Sequence, residues 1–363
     1  METKPTSLGK LAYKKFVKNK VGLFSFWYVV LCGMIAVFAY VITPDKSPNA
    51  NKMHLEIHTK KPLFKTEILH QVKQQKEKQT FVNKLFFGNK NATIETPINK
   101  YKKTKDTLIV ELYSETATVV KKAKYPIHNK KAKERYFVQT KTFYLGTDKY
   151  GRDLLSRMLI GTRISFFIGF IAVFISLVIG ISIGSIAGYF GGKIDTFIMW
   201  LINVTWSIPT LLMVIAITLA LGKGFWQVFI AVGLTMWVEV ARVVRGQIKS
   251  TKQQQYVEAA KALGYSNYRI ITKHILPNIM GPVIVISAAN FAAAILIESG
   301  LSFLGVGAQP PTPSWGGMIK DHYNYIILGK AYLAVIPGVA IMSLVMAFML
   351  IGNALRDALD VKN

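Results

Sequence analysis

The chain has 363 residues, of which 51% are hydrophobic, and a formal net charge of +26 at pH 7. Such a charge is typical of nucleic-acid-binding proteins, but here the basic residues lie in one polar segment and beside long apolar runs. A bilayer core about 30 Å thick needs roughly 20 helical residues, and the chain has several uncharged runs of that length. This pattern excludes a wholly soluble protein and argues against a nucleic-acid partner.

Residues 1–20 carry six lysines and one glutamate, so the positive-inside rule predicts a basic cytoplasmic tail. Residues 21–44 are uncharged and end without a small-x-small cleavage pattern. They are therefore predicted to be a retained first transmembrane helix. The lone cysteine, Cys32, lies inside this run and can form no internal disulfide.

Residues 45–145, here called the lobe, are polar and contain no spanning run. Residues 45–149 hold 23 Lys and Arg against ten Asp and Glu. A long loop crosses a membrane regardless of its charge, so the lobe is predicted to be extracytoplasmic. Apolar residues between Phe64 and Phe86 recur at helical spacing, whereas 107–120 and 136–145 are β-branched and aromatic and favour strands. An α+β insertion is expected, with partial disorder as the alternative because lysine-rich sequence offers little core.

Residues 164–192 are uncharged and predict the second span. Its Gly180, Gly184 and Gly188 are four residues apart, which lets membrane helices pack backbone to backbone. Residues 196–222 predict a third span that Asn203 and Pro209 interrupt. An amide in hydrocarbon is costly unless it faces other helices or a water-filled path, so Asn203 is a candidate for the substrate pathway or for helix association.

Residues 225–241 predict the fourth span, and Glu239 near its end is expected to pair with Arg242 or Arg245. The following loop to residue 273 contains seven basic residues against one carboxylate, Glu258, which places it in the cytoplasm. Charge distribution and the count of spans from the amino end therefore agree.

Residues 274–297 predict the fifth span, with Asn290 in its middle and Glu298 at its outer end as further pathway candidates. Residues 299–319 are uncharged too, but their prolines break helices and predict an outer loop instead of a span. Residues 331–355 predict the sixth span. Six spans place both termini in the cytoplasm.

The most informative stretch is the hairpin, residues 256–277, which is charged and lies between apolar runs. Residues 257–263 favour a helix, and Gly264 is expected to end it in the left-handed conformation. Ser266 is then a candidate cap for a second short helix that reaches Leu276, where Pro277 closes it or opens the next.

Three motifs carry a resemblance to the permeases of binding-protein-dependent ABC importers, in the branch for oligopeptides, dipeptides and nickel. Glu258-Ala259-Ala260 with Gly264 and Leu276-Pro277 resembles the EAA loop, although His274 stands where the general pattern has an aliphatic residue. Residues 146–153, GTDKYGRD, are similar to a signature before the second span. Residues 298–305, ESGLSFLG, are similar to the start of the outer loop.

The resemblance covers residues 1–44 loosely and 146–363 closely. It implies an all-α integral membrane protein with six transmembrane helices, of which five belong to a permease core at 146–363. It also implies that the loop 242–277 is a cytoplasmic coupling helix that sits in a cleft of an ATPase. The residues that would make this contact are Glu258, Ala259, Ala260, Gly264, Leu276 and Pro277.

By the same resemblance, the chain is expected to import peptides in a bacterial cell membrane, with lipid, a second related permease, two ATPases and an extracellular peptide-binding protein as partners. No G-x-x-x-x-G-K-[ST], H-E-x-x-H or C-x-x-C pattern occurs, so neither enzymatic activity nor a cofactor or metal site is expected. Two alternatives remain open. One is an importer of nickel or another small solute, and the other is a membrane scaffold whose lobe binds anionic cell-surface polymer.

Overall fold

A computed structural model of the protein describes residues 8–72, 78–90, 93–114, 121–127, 135–222 and 224–359. Parts of the predicted tail, helix and strand, at 1–7, 73–77 and 115–120, lie outside the described residues. The described helices are α1 (Leu8–Lys18), α2 (Lys20–Ile42), α3 (Phe81–Phe87), α4 (Leu154–Phe190), α5 (Gly192–Ser207), α6 (Thr210–Leu221), α7 (Phe225–Thr251), α8 (Gln255–Ala262), α9 (Asn267–Leu304), α10 (Trp315–His322) and α11 (Tyr332–Leu359). The described strands are β1 (Phe64–Gln71), β2 (Ile94–Lys103), β3 (Thr107–Leu112), β4 (Lys122–Pro126) and β5 (Tyr136–Phe143).

The chain forms two compact units. The first unit comprises Met1–Gly33, Ser165–Gln309 and Val339–Asn363, and the second comprises Met34–Ile164 and Pro310–Gly338. Within the described residues, α2, α4, α7, α9 and α11 are long and apolar enough to cross a membrane. The bent pair of α5 and α6 raises the number to six if it counts as one span, which equals the predicted number.

The third span predicted at 196–222 is interrupted at Pro209, as expected, but not at Asn203, which lies within α5. α5 and α6 are bent by 90° at the break between them. Ile208 has an extended backbone, with φ −90° and ψ 126°, because the residue before a proline is driven out of the helical region. Pro209 also has no N–H to continue the hydrogen-bond ladder.

α4 packs closely against α7, as the glycine spacing predicts. A Cβ atom at Gly184 would lie 2.5 Å from the carbonyl oxygen of Ala241. The same atom at Gly180 or Gly188 would lie 2.8 Å from a carbonyl oxygen of α7. Only glycine lets the two backbones approach so closely.

Five antiparallel strands form the sheet of the lobe, in the order β4-β3-β2-β1-β5. Within the described residues a sheet is present in the expected α+β insertion, and β3 and β5 lie within the predicted strands. The helix predicted from Phe64 was wrong at its start, because Phe64–Gln71 is β1, and among the described residues of 64–86 the helical part belongs to Phe81–Phe87. β1 pairs with β2 on one side and β5 on the other, and this pairing overrides the local spacing of its apolar residues.

Glu95 on β2 is a buried carboxylate surrounded by basic groups. Its oxygens lie 2.5 Å from Lys52 Nζ, 2.8 Å from Lys141 Nζ, 3.6 Å from His54 Nε2 and 3.8 Å from His70 Nδ1. Burial alone would raise the pKa of Glu95, but close contacts with the basic groups of His54, Lys141 and Lys52 lower that pKa well below its usual range. Burial lowers the pKa of His70, against the opposing charge of Glu95.

We expect Gly184→Ala to lower the Tm of the purified chain, because a methyl group there would force α4 and α7 apart at a cost of about 1–3 kcal/mol. The matched control is Gly246→Ala on α7, where a Cβ would meet nothing within 4 Å. Alanine there should favour the helix by about 1 kcal/mol. Thermal unfolding in one detergent compares them, and a Tm for Gly184→Ala at or above that of the wild type would contradict the packing.

The stability of the lobe should fall with acidity in two stages. His70 and Glu95 each have a lower pKa in the folded chain than in the unfolded chain. The unfolded chain therefore binds more protons, and stability is lost as the pH drops. The loss begins below the ordinary pKa of His70, 6.5, and continues below that of Glu95, 4.5. Amide exchange of β1 and β5, corrected for its intrinsic pH dependence, measures this. Glu95→Gln should remove the second stage, and an unchanged profile would contradict the assignment.

Candidate functional site: the hairpin between α7 and α9

Within the first unit, the inner face of α8 anchors the hairpin by packing against α7 and α9. Val257 and Ala260 are buried in a cluster that includes Val244 and Ile248 of α7 and Ile270 of α9. Fully burying a valine side chain contributes about 1.5–3 kcal/mol. α8 is therefore packed against the ends of two candidate spans.

The outer face of the hairpin is exposed and partly apolar. Glu258 and Ala259 point away from the cluster. Leu263 is 70% exposed and Tyr268 is 78% exposed. Contiguous exposed apolar patches mark interaction sites, so these two side chains are candidates for such a patch. Neither residue is among the predicted coupling residues, although both are apolar in an otherwise polar loop.

α8 ends as predicted, at Gly264. This glycine has φ +74°, and the Gly264 N–H donates to the Lys261 carbonyl at 2.9 Å. The Tyr265 N–H donates to the Ala260 carbonyl at 3.2 Å, which completes a Schellman motif. A Cβ at Gly264 would meet nothing within 4 Å, so the requirement for glycine is conformational.

The second helix starts as predicted but does not stop at Leu276. Ser266 Oγ accepts from the Arg269 N–H at 3.4 Å and caps it. The helix then passes through a π-helical turn at Ile270–Ile275 and continues to Leu304. Pro277 lies in the first turn after the π-helical segment. The wider turn accommodates a residue that cannot donate a hydrogen bond.

Polar contacts fasten the hairpin to α4 and to itself. Tyr189 Oη, at the end of α4, donates to Asn267 Oδ1 at 2.8 Å. Lys252 Nζ donates to the Tyr189 carbonyl at 2.5 Å. Asn278 Nδ2, just after Pro277, donates to Tyr256 Oη at 3.1 Å. The structure thus brings the six predicted coupling residues into one folded hairpin.

His274, the residue that departs from the general motif, is half-buried. Its ring stacks on Tyr265 with centroids 5.7 Å apart. The Arg269 guanidinium lies 4.0 Å from the same ring on Tyr265. An aromatic stack therefore takes the place of an aliphatic contact.

Arg245 pairs with a residue other than the one predicted. Its guanidinium binds the Asp195 carboxylate of α5, and Lys249 Nζ lies 3.0 Å from the same group. Arg242 stacks on Trp206 at 3.7 Å. Among the described contacts Arg245 pairs with Asp195 and Arg242 bonds to Asn203, so the predicted pairing of Glu239 with one of these arginines was wrong. Asp195 lies one helical turn into α5, where it faces α7.

The three pathway candidates have different environments. Asn203 is exposed and accepts from Arg242 Nη2 at 3.3 Å. Asn290 is buried, and its amide atoms have no hydrogen-bond partner among the described residues. Glu298 is buried and accepts from Ser302 Oγ at 2.7 Å. Their part in a pathway stays a prediction.

The GTDKYGRD stretch is a structural hub of the second unit. The Asp148 carboxylate accepts from Arg152 Nε at 2.6 Å and from the Tyr150 N–H at 2.8 Å. Asp153 accepts from the Ser156 N–H at 2.9 Å and caps α4. Gly151 has φ +70°, and a Cβ there would lie 1.7 Å from a backbone carbonyl oxygen. These contacts hold the segment that leads into α4 in one conformation.

Comparison with known proteins gives two family matches. The family described as "Binding-protein-dependent transport system inner membrane component" matches residues 180–362. The family described as "N-terminal TM domain of oligopeptide transport permease C" matches residues 7–59.

Several curated relatives are similar over the same length of chain. The dipeptide transport system permease protein DppC of Bacillus subtilis is 42% identical over 219 residues, which is 60% of this chain and 68% of the relative. The oligopeptide transport system permease protein OppC of Escherichia coli K12 is 41% identical over 220 residues, 61% of this chain and 72% of the relative. The glutathione transport system permease protein GsiD of Pectobacterium atrosepticum is 38% identical, over 60% and 72%.

Among solved structures, a chain of the MetNI methionine ABC transporter in inward-facing conformations superposes with a TM-score of 0.45. It is 19% identical over 57% of this chain and 96% of that chain.

The apolar helices and these permease relatives define a multi-pass membrane protein. The chain belongs to the family of binding-protein-dependent transport system inner membrane components. It is thus a permease component of an ABC transport system, a family whose members work with ATPase and binding-protein partners.

Proposed function

We propose that this permease moves peptides into the bacterial cell and that separate ATPase subunits supply the energy. The curated relatives named above are permeases for dipeptides, oligopeptides and glutathione, which supports a peptide substrate. Nickel or another small solute is the alternative. Uptake of a labelled dipeptide and of nickel by cells that carry the complete transporter distinguishes the two.

The hairpin is the coupling element of this proposal. The supporting observation is the contrast between its two faces: Val257 and Ala260 are buried in the helical core, while Leu263 and Tyr268 are exposed. An ATPase cleft that receives α8 would cover the exposed apolar side chains and lie beside Glu258 and Ala259. In this proposal Gly264, Leu276 and Pro277 determine the backbone course of the hairpin, whereas Glu258 and Ala259 face the ATPase.

A displacement of α8 would reach α7, α9 and α4 through direct contacts. Val257 and Ala260 would carry it to α7 and α9 through packing, since well-packed interiors transmit displacement. Tyr189 and Asn267 would carry it to α4. In the proposed complex the chain pairs with a second related permease and receives peptide from an extracellular binding protein. Asn203, Asn290 and Glu298 are the candidate pathway residues.

The proposed topology places the hairpin and both termini in the cytoplasm and the lobe outside. The seven basic residues between 242 and 273, against one carboxylate, support this orientation. In a Cys32→Ser background, Lys102→Cys on β2 should react with a membrane-impermeant maleimide in intact cells. Leu263→Cys should react only after permeabilisation. Labelling of Leu263→Cys in intact cells would overturn the orientation.

Two substitutions in the hairpin should abolish coupling. Gly264→Val puts a β-branched residue in a left-handed conformation at a cost of roughly 1–2 kcal/mol or more, and Glu258→Lys reverses an exposed charge. Both should reduce dipeptide uptake at least tenfold and reduce co-purification of the ATPase, with normal membrane insertion. Gly264→Asn is the control, because asparagine tolerates the left-handed region. Normal uptake and normal co-purification in both variants would refute the coupling role.

A further inference from the structure

A cavity of about 270 Å³ lies in the second unit, between the segment that follows α2 and the start of β2. Its lining includes Ser47, Lys52, His54, Lys90 and Glu95. A water occupies about 30 Å³ of liquid. The cavity is therefore large enough for a small oxyanion together with water.

Two polar atoms of the lining are buried and lack a hydrogen-bond partner within the described part of the chain. They are Ser47 Oγ and His54 Nε2. Ser47 is 7% exposed and His54 is 4% exposed. Glu95 Oε2 lies 3.6 Å from His54 Nε2, which is an ion-pair distance but beyond hydrogen-bond distance. Because buried polar atoms are nearly always hydrogen-bonded in proteins, both are available to a bound group.

The charge of the lining favours an anion. Its ionised side chains are Lys52, Lys90 and Glu95, and Glu95 is already bound by Lys52 and by Lys141 from β5. A carboxylate or phosphate group accepts hydrogen bonds from hydroxyl, imidazole and ammonium donors. A cation would have to bind the Glu95 carboxylate, where the ammonium groups of Lys52 and Lys141 would repel it.

The turn beside the cavity is held in an uncommon conformation. Asn49 has φ +59° and Ala50 has φ +45°, a region that residues other than glycine rarely adopt. Hydrogen bonds hold the turn: Tyr40 Oη accepts from the Asn49 N–H at 3.0 Å, and the Lys46 carbonyl accepts from the Asn89 N–H at 2.7 Å. Strained backbone of this kind concentrates at ligand sites.

We propose that this cavity binds a small oxyanion, a carboxylate or a phosphate group, through Ser47 Oγ and His54 Nε2 beside the Lys52 ammonium. The oxyanion could come from the terminal carboxylate of a peptide or from free phosphate. The site does not rest on the proposed transport function. Ser47 keeps its fold contact through its backbone, because the Ser47 N–H donates to Asp45 Oδ1 at 2.9 Å.

The test measures hydrogen exchange of residues 45–57 and 93–98 in the full chain in detergent. Inorganic phosphate, acetate, dialanine and dialanine amide are titrated against sodium chloride at matched ionic strength. At least one of the three oxyanions should slow exchange in the wild type. Slowing by dialanine but not its amide assigns a peptide carboxylate, whereas slowing by phosphate alone assigns phosphate.

His54→Leu should weaken this binding roughly tenfold, the usual effect of losing a hydrogen bond to a charged group. Ser47→Ala should weaken it by a smaller factor, and it carries the test if His54→Leu disturbs the sheet. His58→Leu is the matched control, since His58 is exposed on the same segment and outside the cavity lining. Three results would overturn the site: no oxyanion effect, an equal effect of chloride, or wild-type affinity in Ser47→Ala together with His54→Leu.

Discussion

Backbone contact between α4 and α7 organises the first unit. Three glycines one turn apart bring α4 against carbonyl oxygens of α7, so the two helices cannot slide without a clash. The contact continues beyond Gly188 to Tyr189, whose hydroxyl group donates to Asn267 within the hairpin and whose carbonyl group accepts from Lys252 just before it. A rigid helix pair and the hairpin thus share one continuous set of contacts.

Sequence patterns were most reliable where a local physical rule decides the outcome. The end of α8 at Gly264 and the cap at Ser266 follow from backbone conformation and orphan N–H groups, and both are present. Long apolar runs likewise predicted the candidate spans, because membrane thickness sets a minimum length. The glycine spacing also predicted close helix packing along α4, although the structure alone identifies α7 as the partner.

Predictions failed where distant residues decide. The spacing of the apolar residues in β1 is typical of a helix, yet β1 forms hydrogen bonds with β2 on one side and with β5 on the other. Glu239 was expected to pair with Arg242 or Arg245, but Arg245 and Lys249 bind Asp195, which lies fifty residues before Arg245 in the chain. The exposure of Leu263 and Tyr268 could not be predicted either. It results from Val257 and Ala260 occupying the cluster instead, which only the packed structure reveals.

The unbroken course of α9 sets a length scale. Its 38 residues, at 1.5 Å each, measure about 57 Å, nearly twice the roughly 30 Å of a hydrocarbon core. Such a rod must tilt or project beyond the lipid. Its first turns carry the hairpin, so even a small change of tilt about a point within the bilayer would sweep the hairpin sideways through several ångströms. The geometry therefore amplifies angular motion at the end that carries the exposed apolar surface.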